Sequence, residues 1–427
     1  MRQILEEIIK EWRQFKLPQI RERNIDLLKF ADMKVRKAIS VIGFRRSGKT
    51  FLLFDFAKKI GIENTIYINF EDERIHRETE TLTTLLHVVR ELCGTKKVFL
   101  LLDEIQNIPN WSRWVRRTIE TQDYPLIISG SSSKLSSNEI PTELRGRTLT
   151  VEVHPLNFIE FLTFKGFDRS TLSKVDVLNT MREYLNWGGF PEIVLLQDEG
   201  LKYLNIDEYY RTFLVRDIFE RHRLRQQSAM KDIIRLLINS TYITMGKLTN
   251  SAKSMGYKIG KTTVGNYINW LEESFFVSFL EIISPKVKDR VQYPRKPYFV
   301  DNFFIKRFST SFSQNLGKLM ENVVAQKLLR EASNGLTTQV FYWKDYQQRE
   351  VDFVYVENLA PHTLIQVTYA SSYSEIPERE IASLLRASEE LQCDNLTVIT
   401  WDYEGKHAVK GKEIKFIPLI DFLLQSA

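Results

Sequence analysis

A short stretch near the start of the chain has the residue types that bind phosphate. Gly43 is followed, after four residues, by Gly48, Lys49 and Thr50, which matches the phosphate-loop pattern G-x-x-x-x-G-K-S/T. Glycines let the backbone curl so that successive N–H groups point at phosphate oxygens, while the lysine reaches the β- and γ-phosphates. The threonine hydroxyl binds Mg²⁺. The stretch predicts a site for ATP or ADP with Mg²⁺, and the residues expected to contact the nucleotide are Gly43, Arg46, Ser47, Gly48, Lys49, Thr50 and Phe51.

A second stretch supplies the acidic residues that hydrolysis needs. The apolar run 98–102 ends in Asp103 and Glu104, and such a run is typical of a buried parallel strand. Open α/β sheets bind ligands beyond the carboxyl ends of their strands. Asp103 is therefore expected to hold Mg²⁺ together with Thr50, and Glu104 is expected to orient and polarise the attacking water, with Lys49 beside it as a catalytic residue. The alternative is that both acids cap the next helix.

Three further polar residues are candidates for contacts with the γ-phosphate. Ser129 ends a later strand pattern, where a polar side chain senses the γ-phosphate, although a small serine also suits a tight turn. Arg145 and Arg147 precede the next strand pattern. A guanidinium inserted at the γ-phosphate of a neighbouring subunit stabilises transition-state charge, so a homo-oligomer is one expectation. The alternative for these arginines is a solvated loop or an internal salt bridge.

Strand and helix patterns that could position these residues alternate along the first third of the chain. Their order predicts an α/β core with a parallel sheet, in which the phosphate loop follows the first strand, as in a P-loop ATPase. An amphipathic helix is expected to precede this core, over residues 1–15. The predicted strands are 38–42, 64–72, 98–102, 124–132 and 147–156, and the helices follow the loop and lie near 78–93 and 111–121.

The motifs GFRRSGKT, INFEDERI, LLLDEIQN, IISGSSSKL, LRGR and YLNWGGFPEIV occur in this order. Together they resemble an archaeal and bacterial family of AAA+-type ATP-binding proteins, some members of which are expected to act as switches. The resemblance implies an ASCE/AAA+-like ATPase core followed by helical and winged-helix segments and a restriction-endonuclease-like α/β domain. The expected divisions are the core with its N-terminal helix at 1–156, a helical lid at 157–225, the winged helix at 226–300 and a degenerate endonuclease-like domain at 301–427.

The winged-helix interpretation has support from the residues themselves. Three helical patterns followed by strand patterns occupy residues 229–283 and beyond, and this order is typical of that fold. Its third helix, 262–272, would enter the major groove of DNA, although Tyr267 and Leu271 look like core residues. The segment is therefore either a DNA contact or an interdomain module. Basic residues that could meet DNA phosphates are Lys258, Lys261, Lys286, Lys288, Arg290, Arg295 and Lys296.

The last part of the chain has the αβββαβ order of PD-(D/E)xK nucleases. Such enzymes need two carboxylates for Mg²⁺ and a lysine that supports the attacking water. Glu321 and Asp352 fit the carboxylates, but Gln366 and Thr368 stand where the glutamate and lysine of E-x-K are expected. Lys344 on a preceding strand is the candidate replacement lysine. These departures favour a degenerate DNA-binding or scaffolding module over an active nuclease.

Composition bears on the partners, the metal content and the location of the protein. The 427 residues carry a formal net charge of +6, which fits nucleic-acid binding without establishing it. The two cysteines, Cys93 and Cys393, lack metal-ligand spacing, so we expect a cytoplasmic protein without a zinc site, and no apolar run predicts a membrane partner. The sequence favours an ATP-hydrolysing AAA+-type protein that couples Mg-ATP hydrolysis to a DNA-associated process. The alternatives are a nucleotide-gated protein-interaction switch and an ATP-dependent nuclease.

Overall fold

The chain folds into two compact units. The computed structural model describes residues 1–31, 33, 35–94, 96–121, 124–130, 144, 146–167, 173–310, 315–334 and 337–425. The first unit comprises Met1–Pro155 with Val215–Asp217, and the second comprises Leu156–Leu214 with Ile218–Ala427. No helix within the described residues is both long and apolar enough to cross a bilayer.

The first unit is built on a five-stranded parallel sheet. Its strands are β1 (Ala38–Ile42), β2 (Thr65–Asn69), β3 (Phe99–Asp103), β4 (Leu126–Gly130) and β5 (Thr148–Glu152). The strand order is β2-β3-β4-β1-β5, and every hydrogen-bonded pair is parallel. The central strands β1 and β4 are buried throughout, because parallel sheets are covered on both faces. The predicted α/β core with a parallel sheet is confirmed.

Helices cover this sheet. They are α1 (Arg2–Gln14), α2 (Lys49–Ile60), α3 (Thr79–Cys93) and α4 (Trp111–Thr121). As predicted, α1 is amphipathic and buries Leu5, Ile8, Ile9 and Trp12. The Trp12 indole N–H also donates a hydrogen bond of 3.2 Å to the Thr65 hydroxyl at the start of β2. The N-terminal helix is therefore part of the first unit's core.

The second unit begins with helices and a short hairpin. The helices are α5 (Phe158–Lys165), α6 (Lys174–Trp187), α7 (Pro191–Leu195), α8 (Glu199–Thr212), α9 (Gln227–Ile238), α10 (Met245–Ser254), α11 (Lys261–Glu273), α12 (Val287–Gln292) and α13 (Asn302–Phe308). Strands β6 (Val277–Leu280) and β7 (Lys296–Phe299) pair antiparallel. A π-helical segment, Phe213–Glu220, follows α8 and supplies the three residues that belong to the first unit.

The rest of the second unit contains a six-stranded mixed sheet. Its elements are α14 (Leu316–Asn334), β8 (Thr338–Lys344), β9 (Glu350–Glu357), β10 (Ala360–Val367), α15 (Glu378–Leu391), β11 (Leu396–Thr400), β12 (Gly405–Val409), β13 (Lys412–Pro418) and α16 (Leu419–Leu424). The strand order is β12-β13-β11-β10-β9-β8. The predicted αβββαβ order corresponds to α14 through β11. The prediction missed the β12–β13 hairpin, whose strands are short and only partly buried and whose turn contains Lys410 and Gly411 with positive φ.

A close approach of backbone and side chain fixes the Gly188–Gly189 turn that ends α6. Gly188 has φ +70°, and a Cβ there would lie 1.7 Å from Asp301 Oδ1. The buried Asp301 carboxylate accepts hydrogen bonds from the amides of Gly189 (2.7 Å) and Phe303 (2.8 Å). The turn therefore joins α6 to the start of α13 within the second unit.

We expect Gly188→Ala to lower the free energy of unfolding by about 2–4 kcal/mol, because the new methyl group collides with the buried Asp301 and the left-handed backbone penalises a Cβ. The measurement is the urea midpoint of the full chain. Gly246→Ala is the matched control, since a Cβ at this helical position meets no atom within 4 Å. That control should leave stability unchanged or raise it by about 0.5–1 kcal/mol. Equal midpoints for the two variants would contradict the packing argument.

Candidate functional site

The predicted phosphate loop connects the carboxyl end of β1 to the first turn of α2. Gly43 has φ +145°, and a Cβ on it would lie 2.1 Å from the carbonyl oxygen of Val153, so the loop passes the backbone just after β5 too closely for any side chain. Gly48 precedes α2 without a side-chain cap. A helix N-terminus attracts anions through its unpaired N–H groups and its dipole. The loop and helix together form a site suited to phosphate.

Lys49 points into the loop that precedes it. Its ammonium donates hydrogen bonds to the carbonyl oxygens of Gly43 (3.0 Å) and Phe44 (3.1 Å), and the side chain is buried. Burial lowers the pKa of Lys49, while the charges of Glu104 and Asp103 oppose that shift. The structure thus places the Lys49 amine at the centre of the loop.

A buried hydroxyl tests whether the loop suits a phosphate group. Ser47 is fully buried, and its Oγ has no hydrogen-bond partner in the part of the chain that the structure describes. A buried polar group without a partner costs about 1–3 kcal/mol, and a phosphate oxygen would accept this hydrogen bond. The residues of the loop therefore fit a phosphate ligand.

Three hydroxyls converge on the carboxylate of Asp103 at the end of β3. Thr50 Oγ1 donates to Oδ2 at 2.7 Å, the Tyr67 hydroxyl donates to the same oxygen at 2.8 Å, and Ser129 Oγ donates to Oδ1. Burial and the nearby Glu104 raise the pKa of Asp103, and the three hydroxyls oppose this. Mg²⁺ prefers hard oxygen ligands, so the Thr50 and Asp103 pair fits the ion. Sequence reasoning missed Tyr67, which lies on β2 next to β3.

Glu104 follows Asp103 and adopts a left-handed backbone conformation with φ +52°. Such a conformation is uncommon for a residue other than glycine and is concentrated at functional sites. The side chain is buried and accepts a hydrogen bond from the Gln106 amide. Glu104 precedes the turn Ile105–Asn107 without a side-chain cap, so its carboxylate does not have the capping role considered above.

The other predicted nucleotide contacts lie at the surface of the first unit. Arg46 has φ +67° and is exposed, and Phe51, in the first turn of α2, is 49% exposed. Arg147 pairs with Glu120 at 2.7 Å, which is an internal salt bridge. Arg145 lies outside the described residues. The structure therefore brings Lys49, Thr50, Asp103, Glu104 and Ser129 together, and it gives Arg147 a partner in its own chain.

Two side chains from distant segments contact the loop, and sequence reasoning missed both as partners. Arg23 donates to the carbonyl oxygens of Ser47 (2.9 Å) and His154 (2.8 Å). Arg45 makes two hydrogen bonds, of 3.1 and 3.2 Å, with the carboxylate of Asp217 in the π-helical segment. Burial raises the pKa of Asp217, and Arg45 opposes that shift. These contacts fix the two sides of the loop.

A second cluster of charged residues lies in the second unit, at a cavity of about 660 Å³. Its centre is the ammonium group of Lys296 on β7, which is 2.8 Å from an oxygen of each of three carboxylates, Glu321, Glu350 and Asp352. The prediction that Lys296 meets DNA phosphates is wrong, because its side chain is buried among these acids. The other basic residues near Lys296 lie before β7 in the sequence, and they give no indication that Lys296 is buried.

The predicted endonuclease-like residues are only partly brought together. Glu321, Asp352 and Gln366 line the cavity, and the Gln366 side-chain oxygen accepts the Asp352 backbone N–H at 3.3 Å. Lys344 does not line it, because its ammonium lies over the Tyr242 ring, 4.3 Å from the centroid. The lysine of this cluster is therefore Lys296 and not Lys344. Burial raises the pKa of Asp352 to about 7, although Lys296 opposes the shift.

Three family models match consecutive parts of the chain. Residues 35–162 match a model described as an AAA domain. Residues 178–314 match one domain of unknown function, DUF8612, and residues 316–422 match another, DUF4143. The AAA match covers the phosphate loop and the acidic pair of β3.

Similar proteins span most of this chain. The uncharacterized protein MJ1544 of Methanocaldococcus jannaschii is 37% identical over 392 residues, which cover 88% of this chain and 86% of that protein. An uncharacterized protein of Haemophilus influenzae is 28% identical over 410 residues, 93% and 96% of the two chains. Among solved structures, the Walker-type ATPase PABY2304 of Pyrococcus abyssi matches with a TM-score of 0.47 and 15% identity, over 69% of this chain and 99% of its own.

Proposed function

We propose that this chain, which belongs to the family of protein MJ1544 of Methanocaldococcus jannaschii, hydrolyses Mg-ATP. Its AAA domain binds the ATP. Hydrolysis is coupled to a DNA-associated process. The observation that carries the ATPase part is the Thr50–Asp103 hydrogen bond of 2.7 Å beside the buried Lys49. This pair joins the first turn of α2 to the end of β3. It therefore joins the predicted phosphate loop to the predicted metal ligand.

The residues of the first unit have separate parts in this proposal. Lys49 and the Ser47 hydroxyl hold phosphate oxygens, and Thr50 with Asp103 holds Mg²⁺. These two residues would hold the ion, whose charge would offset that of the phosphates. Glu104 orients the attacking water. Ser129 donates a hydrogen bond to Asp103 and so fixes the direction of the metal-binding carboxylate.

The DNA part of the proposal is supported by basic residues of the second unit. We propose that α9 to α11 with the β6–β7 hairpin form a winged helix, and that residues 301–427 have an endonuclease-like fold. Arg290 and Arg295 pack over the rings of Phe341 and Phe279, at 4.7 and 4.9 Å. The basic residues that remain exposed are Lys258, Lys261, Lys286 and Lys288. These four lysines are the contacts that we propose for DNA phosphates.

A homo-oligomer has less structural support than DNA as a partner of this chain. It requires an arginine that acts at the nucleotide of a neighbouring subunit, for which Arg145 and Arg147 are the candidates. Arg147 would have to leave Glu120 to do so. We therefore propose DNA as the partner to test first.

The test is the rate of Mg-ATP hydrolysis with and without duplex, branched and single-stranded DNA. We expect measurable hydrolysis that at least one DNA form stimulates. Lys258→Glu/Lys261→Glu should remove that stimulation and reduce the log–log salt slope of DNA binding by about 2. The matched control is Lys406→Glu/Lys410→Glu, which changes two exposed lysines of the β12–β13 hairpin. A hydrolysis rate that no DNA form changes would refute the DNA part and favour a protein-interaction switch.

A further inference from the structure

The Lys296 ammonium is enclosed by carboxylates. A lysine ammonium has three N–H groups, and here three carboxylate oxygens, from Glu321, Glu350 and Asp352, each lie 2.8 Å from Nζ. The lysine side chain is 2% exposed. Burial lowers the pKa of Lys296, but the surrounding carboxylates outweigh this effect and raise the pKa well above its usual value. The ammonium therefore stays charged, and all of its donors are used.

The carboxylates around Lys296 are themselves held in place. The Tyr298 hydroxyl donates to Glu321 Oε1 at 2.7 Å, and the backbone N–H of Val367 donates to the second oxygen of Asp352 at 3.0 Å. Three acidic oxygens thus converge on one point from α14 and β9. Hard divalent cations are bound by such sets of oxygens, but here the central position is taken by an ammonium group.

This arrangement is unsuited to metal-dependent phosphodiester cleavage. A nuclease lysine must direct a proton at water or phosphate, and Lys296 has no donor left for either. A metal ion would have to displace a buried ammonium that three carboxylates stabilise. Without a metal, the Lys296 charge is balanced by its three carboxylates and is not available to a phosphate group.

We propose that Lys296 is a built-in counter-cation that occupies the position of a divalent metal, so that the cavity of the second unit is metal-free and is not a nuclease site. This inference is independent of the ATPase proposal, because it concerns residues of the second unit alone. The inference gives Lys296 a structural role. Neither the basic residues near Lys296 in the sequence nor the replacement of the E-x-K lysine by Thr368 indicates this role. The inference also predicts what removal of the ammonium would uncover, namely a carboxylate site able to bind a divalent cation.

The experiment removes the ammonium and measures Mn²⁺ binding by calorimetry. The full chain carries Asp103→Asn so that the ATPase site contributes no metal binding. We expect no Mn²⁺ bound by this protein and one Mn²⁺ per chain after Lys296→Met, which keeps an unbranched apolar side chain but removes the charged terminal ammonium. Lys406→Met is the control, because Lys406 pairs with the single carboxylate of Glu413 at the surface. The proposal is overturned if folded Lys296→Met gains no site.

A second measurement uses the wild-type lysine and does not depend on the variant's folding. Reductive methylation followed by peptide mass spectrometry reports how accessible each lysine ammonium is. We expect Lys296 to remain unmethylated with and without Mn²⁺, while the exposed Lys406 is methylated in both. Methylation of Lys296 that rises on addition of Mn²⁺ would show that a metal displaces the ammonium, and would overturn the proposal even if Lys296→Met failed to fold.

Discussion

Lys49→Ala is expected to reduce ATP hydrolysis by about 100-fold or more, which is the scale of effect when a preorganised donor to transition-state charge is removed. The buried ammonium of Lys49 lies at the centre of the loop, on the carbonyl oxygens of Gly43 and Phe44. No other lysine of the loop could replace it, because the stretch 43–50 contains only this one. Loss of a charged hydrogen bond should also weaken ATP binding by about 10- to 100-fold.

Steady-state phosphate release and calorimetric titration with Mg-ATP measure the two effects. Lys58→Ala is the matched control, since Lys58 lies on the same helix but is exposed and remote from the first turn. The control should hydrolyse and bind ATP as the wild type does. If Lys49→Ala keeps the wild-type rate, the phosphate loop does not carry the hydrolysis, and the ATPase proposal fails.

Much of the first unit could be predicted because its chemistry is local in sequence. The phosphate loop and the acidic pair are short motifs, and each follows an apolar strand. Parallel strands place their carboxyl ends at one edge of a sheet, so strand direction explains why Asp103, predicted at Mg²⁺, and Ser129, predicted beside the γ-phosphate, lie at the same edge. The order β3-β4-β1 at the centre of the sheet makes these contacts direct.

The contacts that could not be predicted come from segments without a motif. Arg23 reaches the loop from the region before β1, and Asp217 reaches Arg45 from a position 172 residues away. Neither has a residue pattern around it that specifies its partner. Only the packing of the chain determines such encounters.

Lys296 shows a different limit of sequence reasoning. Lysine is rarely buried unless it is paired. A lysine that lies among other basic residues in the sequence is therefore predicted to be at the surface. The nuclease motif places its lysine at Thr368, directly after β10, and the sequence offers Lys344 on β8 as the replacement. The lysine that the structure supplies comes from β7, before the six-stranded sheet begins. A motif with fixed spacing along β9 and β10 does not identify a lysine that β7 contributes.

Glu104→Gln is expected to separate hydrolysis from binding. The change keeps the size of the side chain and leaves an oxygen that can accept the hydrogen bond from Gln106, so the left-handed turn at Glu104 should persist. An amide cannot polarise water as a carboxylate does. Hydrolysis should therefore fall by about 100-fold or more, which is the range for loss of a general base, while the affinity for Mg-ATP stays within about twofold of the wild type.

The two variants should differ in ATP binding. Lys49→Ala should lose both ATP binding and hydrolysis, whereas Glu104→Gln should lose hydrolysis alone. Glu73→Gln is the matched control, since Glu73 is exposed beyond the carboxyl end of β2. A Glu104→Gln protein that hydrolyses ATP at the wild-type rate would leave Glu104 a purely structural part of its turn. A variant that no longer binds Mg-ATP would instead place Glu104 in nucleotide binding. Both outcomes would require another residue to direct the attacking water.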